Sequence, residues 1–216
     1  MKKECGVVFD LDGTLLNTLE DIADAMNYAL ETLGQPPWEL DAYRYMVGNG
    51  ARILAERAVR SRRDLAERAL AAYQAEYETH SQVKTCPYEG IPELLRELNR
   101  REIPVFVLTN KPHADAQRIV HYYFPEISFA GIQGQVPELP VKPDPAGALA
   151  IAETLNLPPE RFFYLGDTSV DMDCARRAGM RSVGVLWGFR TRSELKGSGA
   201  SALIDRPEEL LKLLED

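Results

Sequence analysis

The stretch Gly6-Val7-Val8-Phe9-Asp10-Leu11-Asp12-Gly13-Thr14 decides how this chain folds. Its first four residues form a short apolar run, which is typical of a buried strand in a parallel sheet. In an extended chain, residues two apart point to the same side, so the carboxylates of Asp10 and Asp12 are expected to converge where the strand ends. Ligands bind at that end of open α/β sheets. Because ionised carboxylates repel each other, the pair predicts a metal ion or an acid/base division of labour.

Taken alone, the same stretch is equally typical of a turn or a helix cap, because Asp and Gly are common in loops. The rest of the chain decides between these interpretations. Three more apolar runs, at residues 103–108, 162–165 and 182–186, alternate with helical sequence. Strands that alternate with helices predict an α/β fold, here a doubly wound, Rossmann-like parallel sheet.

One long interval breaks this alternation. Between Leu16 and about Lys84 the sequence contains amphipathic helical patterns but no convincing strand. An interval of that kind predicts a helical domain inserted into the sheet. We therefore predict a catalytic α/β core of residues 1–15 and 85–216, with an inserted all-helical cap over residues 16–84.

The helices of the interval carry start and stop signals. Thr18 is the predicted N-cap of the first helix, with Asp21 three residues later as in a capping box, and Gly34 marks its end. The last helix is predicted over about residues 64–79.

Polar side chains also follow the other predicted strands. Thr109 and Asn110 come after the second apolar run, Lys142 directly precedes a segment with two prolines before a helix, and Asp167 and Asp171 follow the next run. Each has an ordinary interpretation when taken singly: Thr109 as an N-cap, Lys142 as a surface lysine, and Asp171 as a carboxylate at a helix N-terminus. Four successive strand ends that bring such groups to one rim indicate a functional site instead.

The order and local sequence of these segments resemble the four motifs of the haloacid dehalogenase superfamily of phosphatases, and the match covers essentially the whole chain. The helical interval is similar to that superfamily's mobile cap. The resemblance implies a Mg²⁺-dependent phosphatase that acts on a small phosphorylated metabolite through a phosphoaspartyl intermediate. The second aspartate, Asp12, favours phosphoryl transfer over dehalogenation, because a halide leaving group needs no proton. One departure is Asn17, where many relatives carry an acidic residue.

The resemblance also implies roles for individual residues. Asp10 would be the nucleophile and a metal ligand, and Asp12 would be the general acid and base and would bind the metal through its backbone carbonyl. Thr109, the Asn110 backbone and Lys142 would hold the phosphoryl oxygens. The remaining implied metal ligands are Asp167 and Asp171, the latter directly or through water.

Residues 46–58 resemble the corresponding cap segment of bacterial phosphoglycolate phosphatases, which implies 2-phosphoglycolate as the substrate. The alternative is an ordinary turn between helices. A glycine-flanked turn lets backbone amides approach an anion, and an arginine could pair with the substrate carboxylate. The implied binding residues are Gly48, Asn49, Gly50 and Arg52, with Arg44 as the alternative arginine.

Several other functions fit the same motifs. A phosphosugar mutase, a pyrophosphatase or a phosphatase of broad specificity would use the same core and a similar cap. A phosphate-binding module without turnover is a further alternative, against which the intact pair of Asp10 and Asp12 argues.

Composition limits the partners. The 216 residues carry a formal net charge of −8, so no nucleic-acid partner is expected. Three cysteines without a Cys-x-x-Cys spacing predict neither a disulfide framework nor a thiolate metal site, and they favour a reducing cytoplasm. No window approaches the ~20 apolar residues of a membrane span. We expect a cytoplasmic monomer or homodimer with no membrane partner.

Overall fold

The computed structural model describes residues 5–215. Its strands, in chain order, are β1 (Gly6–Phe9), β2 (Leu16–Asn17), β3 (Cys86–Pro87), β4 (Val105–Pro112), β5 (Gly131–Gln135), β6 (Phe162–Gly166), β7 (Arg181–Val185) and β8 (Ala202–Ile204). Six of them form one sheet in the order β5-β4-β1-β6-β7-β8, and neighbouring strands are parallel. The predicted α/β class is therefore confirmed.

Helices cover the sheet and fill the interval between β2 and β3. They are α1 (Leu19–Thr32), α2 (Leu40–Met46), α3 (Ala51–Ala58), α4 (Ala66–His80), α5 (Ile91–Arg100), α6 (His113–Tyr123), α7 (Ala146–Leu155), α8 (Ser169–Ala178), α9 (Arg192–Gly197) and α10 (Glu209–Leu213). We call α1 to α4 the helical insert.

Strand β1 lies at the centre of the sheet, and all four of its residues are buried. Val8 is in register with Phe106 of β4 and Tyr164 of β6, and these three side chains share one apolar cluster. Val7 and Phe9 point the other way, into the larger cluster on the opposite face. Burial on both faces explains why the strand is a continuous apolar run, and each such side chain stabilises the fold by about 1.5–3 kcal/mol.

The helical insert leaves and re-enters the core at adjacent points, because β2 and β3 pair as a short antiparallel ribbon. Asn17 lies opposite Cys86 in this ribbon. Within the insert, α1 packs against α4 through buried apolar side chains such as Met26. The rings of Tyr73 and Tyr77 on α4 are stacked, with centroids 5.3 Å apart.

The first inserted helix starts where the sequence predicts, but the predicted capping box does not form. Thr18 does precede α1, but its buried hydroxyl forms no hydrogen bond with any residue from 5 to 215. Asp21 does not complete a capping box; its carboxylate accepts hydrogen bonds from the backbone N–H groups of Val83, Lys84 and Thr85. The last inserted helix begins at Ala66, after a 3₁₀ turn, rather than at residue 64.

None of the helices within residues 5–215 has the length and apolar character that crossing a membrane requires.

Candidate active site

The carboxyl ends of β1, β4 and β6 lie side by side and carry the polar residues that follow each strand. Asp10 comes directly after β1, Thr109 lies near the end of β4, and Asp167 comes directly after β6. The parallel order β4-β1-β6 puts these three ends at one edge of the sheet. The sheet therefore positions the predicted site residues without help from long loops.

Asp10, Asp167 and Asp171 form a buried cluster of carboxylates. One oxygen from each lies within 4.8 Å of the others. Burial raises the pKa of Asp10 to about 7, and the charge of Asp171 adds to this rise while Lys142 opposes it. Burial also raises the pKa of Asp167 well above its usual value, with the charges of Asp171 and Asp10 adding to the effect. A hard cation relieves such crowding, and carboxylate oxygens are the ligands that Mg²⁺ prefers, so this donor set fits Mg²⁺.

Lys142 is the buried cation beside this cluster. Its Nζ lies 2.8 Å from Asp10 Oδ1 and 2.7 Å from Asp171 Oδ1. Burial alone would lower the pKa of Lys142, but the charges of Asp10 and Asp171 outweigh it and raise the pKa well above its usual value. Lys142 is therefore a fixed positive charge next to Asp10, and the surface-lysine interpretation is wrong.

Asn110 holds the main chain of Lys142 in place. Its side-chain amide donates to the Lys142 carbonyl at 3.0 Å and accepts from the Lys142 N–H at 2.8 Å. The same amide donates to the carbonyl of Gly48 in the helical insert at 3.1 Å. The sequence motif predicts a role only for the Asn110 backbone, whereas the structure shows that its side chain links β4, Lys142 and the insert.

Asp171 combines both interpretations that its position suggested. Its Oδ2 accepts hydrogen bonds from the backbone N–H and the hydroxyl of Thr168, as a residue in the first turn of α8 does. Its Oδ1 faces Lys142. The helix start therefore fixes the orientation of a carboxylate that also belongs to the cluster.

Two glycines let the backbone approach Asp167. Gly13 has a φ of +86°, and a Cβ at this position would overlap the Asp167 carboxylate. A Cβ on Gly188 would overlap both Asp167 and the Gly13 carbonyl. Because glycine has no side chain at either position, Thr14 Oγ1 and the Phe189 N–H reach the Asp167 oxygens at 3.3 and 2.8 Å.

The side chain of Asp12 faces a different lysine from that of Asp10. Its two oxygens lie 3.0 and 3.1 Å from Lys111 Nζ. Lys111 is buried, and its ammonium also lies 4.6 Å from the ring centroid of Tyr77. Lys111 is not among the predicted site residues, because the apolar run that predicts the strand ends at residue 108. Since β4 continues to Pro112, Lys111 lies two residues beyond Thr109 on the same side of the strand.

A cavity of about 40 Å³ lies between this edge of the sheet and the helical insert. The insert contributes backbone and apolar side chains to its wall. The residues that line it include Asp10, Asp12, Thr109 and Lys111 from the core, and Gly48, Gly50, Leu54 and Tyr73 from the insert.

Two of the predicted substrate-binding side chains, and the alternative arginine, lie outside this cavity. Arg52 points along the surface of the insert, where it pairs with Glu67. Asn49 accepts a hydrogen bond from Arg57 at 2.9 Å. Arg44, the alternative, is 43% exposed and pairs with Asp41. Within the described chain, none of the three predicted side chains, Arg44, Asn49 and Arg52, lines the cavity.

Core and insert also meet through the segment that follows β7. Arg190 is buried and donates from Nη2 to the Val47 carbonyl at 3.1 Å, and its guanidinium lies 5.0 Å from the ring centroid of Tyr45. Trp187 Nε1 donates to the Thr14 carbonyl at 3.0 Å. Residues 187–190 therefore contact the loop after β1, Asp167 and the helical insert.

Comparison with known proteins agrees with this geometry. The family model described as haloacid dehalogenase-like hydrolase matches residues 7–185. A phosphoglycolate phosphatase of Pseudomonas putida is 33% identical over 212 residues, which cover 95% of this chain and 78% of that protein. A phosphoglycolate phosphatase of Psychrobacter arcticus is 31% identical and covers 88% of this chain and 86% of its own. A crystal structure of a predicted phosphoglycolate phosphatase from Haemophilus somnus superposes with a TM-score of 0.90 at 26% identity, covering 99% of both chains.

Proposed function

This chain belongs to the haloacid dehalogenase-like hydrolases and is a phosphoric monoester hydrolase, and we propose that it hydrolyses 2-phosphoglycolate through a phosphoaspartyl intermediate on Asp10. The observation that carries the proposal is the pairing of Asp10 with Lys142, at 2.8 Å, beside two further buried carboxylates. Once Lys142 and a bound cation keep Asp10 ionised, its carboxylate can attack phosphorus without a base to activate it, provided that these cations also offset the charge of the ester.

The first half-reaction forms a bond between an Asp10 carboxylate oxygen and phosphorus, and it breaks the bond between phosphorus and the ester oxygen. The departing alkoxide takes a proton from the Asp12 carboxyl and leaves as glycolate. Lys142 and the Thr109 hydroxyl hold the phosphoryl oxygens, where negative charge is concentrated in the transition state.

The second half-reaction restores the enzyme. Asp12, now a carboxylate, removes a proton from a water molecule, whose oxygen attacks the phosphorus of the phosphoaspartate. The bond to Asp10 breaks, and inorganic phosphate leaves. One residue thus serves first as acid and then as base, as the reversal of proton flow between the two steps requires.

Mg²⁺ would be held by Asp10, Asp167 and Asp171, together with the backbone carbonyl of Asp12. When bound, it neutralises negative charge on the phosphoryl group and on the carboxylates around it. The chain's own contribution is to hold these carboxylates together through the start of α8, the Phe189 N–H and the Thr14 hydroxyl.

The division of the chain into a core of residues 1–15 and 85–216 and a cap of residues 16–84 belongs to the same proposal. The paired strands β2 and β3 at the base of the insert support it, since they offer a single point about which the insert can move. A closed cap would exclude water during formation of the phosphoaspartate.

Phosphate release tests the proposal directly. The enzyme with Mg²⁺ would be given 2-phosphoglycolate, hexose phosphates, nucleoside monophosphates and pyrophosphate at equal concentrations, and compared by kcat/KM. We expect a clear preference for 2-phosphoglycolate. Preference for another ester would overturn 2-phosphoglycolate as the substrate but not the phosphoaspartyl mechanism. A phosphosugar isomer formed without free phosphate would indicate a mutase.

A further inference from the structure

Lys111 is a buried cation for which the proposed reaction has no task. Its side chain is 4% exposed and its ammonium lies on the wall of the cavity, 3.0 Å from Asp12 Oδ1. Lys142 is the cation that faces Asp10, and Lys111 is the cation that faces Asp12. One phosphoryl group needs only the lysine beside the nucleophile, so the second lysine is available to another group.

Three arginines lie near the cavity but do not line it. Arg190 is buried, donates to the Val47 carbonyl and pairs with Glu194. Arg52 pairs with Glu67, and Arg44 pairs with Asp41 and reaches the Gly188 carbonyl at 3.5 Å. Among the lining residues that lie within the described part of the chain, Lys111 alone has a cationic side chain. A second negative group on a substrate would meet this ammonium first.

Lys111 has hydrogen-bonding capacity beyond its pair with Asp12. An ammonium group carries three N–H donors, and both contacts with acidic oxygens go to the single carboxylate of Asp12. Its other close neighbour is the face of Tyr77, which attracts the charge but accepts no conventional hydrogen bond. An acceptor inside the cavity can therefore bind Lys111 without displacing Asp12.

The surroundings strengthen such a contact. The wall beside Lys111 is formed by Val47, Leu54 and Tyr73 of the helical insert. Apolar walls exclude water and lower the local dielectric constant, so attraction between an ammonium and a carboxylate is stronger here than at the surface. The burial of Lys111 also means that its position is fixed before a ligand arrives, which limits the ordering cost of binding.

We propose that Lys111 is the specificity-determining residue, and that it selects short phosphomonoesters with a second anionic group next to the ester carbon by binding that group. The inference rests on the proposed function, because it takes ester hydrolysis at Asp10 as given. Lys111 of β4 thereby takes the role that the sequence motif predicts for Arg52 of the insert. The preferred substrates are therefore small phosphorylated carboxylates.

A comparison of two esters tests this role. Ethyl phosphate has nearly the size of 2-phosphoglycolate but lacks its carboxylate, so the ratio of the two kcat/KM values measures recognition of the second charge. Wild-type enzyme should prefer 2-phosphoglycolate. Lys111→Gln and Lys111→Met should each lower this ratio by about 10- to 100-fold, the usual worth of a charge-assisted hydrogen bond. Lys111→Arg keeps the charge and should keep most of the preference.

Lys196→Gln provides the matched control, because Lys196 is exposed on α9 and its loss should leave the ratio unchanged. Thermal unfolding of every variant identifies any that does not fold, and the use of two neutral replacements keeps the test available if one fails. A ratio that stays at its wild-type value while both esters slow equally would make Lys111 only a counterion of Asp12 and overturn the inference. Wild-type enzyme without preference for 2-phosphoglycolate would overturn the proposed substrate first, and this inference with it.

Discussion

Asp10 is subject to two opposing demands. Burial beside Asp171 raises its pKa to about 7, which favours the protonated form, whereas a nucleophile must be ionised. Lys142 works against this rise, and a cation held by Asp10, Asp167 and Asp171 would do so more strongly. Burial of these three carboxylates opposes folding. Once cations are bound beside them, the same cluster can bind an anionic ester.

Replacing Asp10 by Asn should lower turnover on the order of 10⁴-fold or more, because an amide cannot take the place of the attacking carboxylate. Phosphate release under saturating substrate measures this loss. Circular dichroism should show an unchanged fold, since the replacement conserves shape and removes a crowded buried charge. Asp41→Asn is the control, because that side chain is 92% exposed. Near-normal turnover in Asp10→Asn would contradict the phosphoaspartyl mechanism.

Asp12→Asn should separate the two half-reactions. An asparagine cannot remove a proton from water, so phosphate that reaches Asp10 should stay there. After incubation with ³²P-labelled substrate and Mg²⁺, we expect label on the protein that hydroxylamine releases, as it does from acyl phosphates. Steady-state turnover should fall by about 10²- to 10⁴-fold. Normal hydrolysis of the phosphoenzyme in this variant would assign the base to another residue.

Most site residues were predictable because short motifs directly follow strands. Asp10, Thr109 and Asp167 are held where the sheet ends, and the alternation of an extended chain fixes their direction. Arg52 was not predictable in the same way. It lies on a helix of the insert, and which of its faces meets the cavity depends on packing between α3 and α4, where Arg52 pairs with Glu67.

At the scale of elements, Asp21 ties the first inserted helix to the chain segment that returns to the core. Its buried carboxylate accepts hydrogen bonds from the backbone N–H groups of Val83, Lys84 and Thr85 at 2.9 to 3.1 Å. These hydrogen bonds hold the first turn of α1 next to the segment that leads from α4 back to β3.

Asp21→Ala should destabilise the protein by about 2 to 4 kcal/mol, because it leaves three backbone N–H groups without acceptors, of which that of Thr85 is buried. Urea unfolding followed by circular dichroism measures the free energy of unfolding. Asp24→Ala is the matched control: Asp24 also reaches Lys84, but through an exposed ion pair at 2.7 Å, and such pairs contribute little. Equal losses of unfolding free energy in the two variants would mean that the backbone hydrogen bonds of Asp21 contribute no more to stability than the exposed ion pair of Asp24.

The sheet itself was only partly predictable from sequence. Strands β1, β4, β6 and β7 are buried apolar runs, and all four were expected. Strand β5 reads Gly-Ile-Gln-Gly-Gln and is mostly half-buried, so it lacks the apolar signal. Strand β8 has only three residues. Both are edge strands of the sheet and pair with only one other strand. Edge strands are less buried than central ones, so their sequences need not be apolar.

At the scale of the whole molecule, the carboxylate cluster should make stability depend on both pH and Mg²⁺. The pKa of Asp10 is raised from 3.8 to about 7 in the metal-free fold, and that of Asp167 is also raised. Between about pH 4 and pH 7 the folded state therefore binds protons that the unfolded state has released. The free energy of unfolding of metal-free protein should fall by a few kcal/mol as pH rises through this window.

Mg²⁺ should reverse this loss, because it replaces the protons in the cluster. Thermal unfolding with EDTA or with Mg²⁺, from pH 5 to pH 8, tests both statements. We expect the increase in Tm caused by Mg²⁺ to be larger at pH 8 than at pH 5, and to shrink in Asp10→Asn. Metal-free protein that became more stable as pH rose from 5 to 7 would contradict the crowding of charge at the cluster.

The pairing of β2 with β3 bears on how such a molecule can change over evolutionary time. Because the chain leaves the core at Asn17 and returns at the adjacent Cys86, the segment between them can be lengthened, shortened or exchanged without displacing β1 or β4. Strands that carry the bond-breaking residues can stay constant while the helices above them diversify. Inheritance can thus vary the cover of the cavity while it keeps the reaction, and a preference set by Lys111 stays with the constant strands.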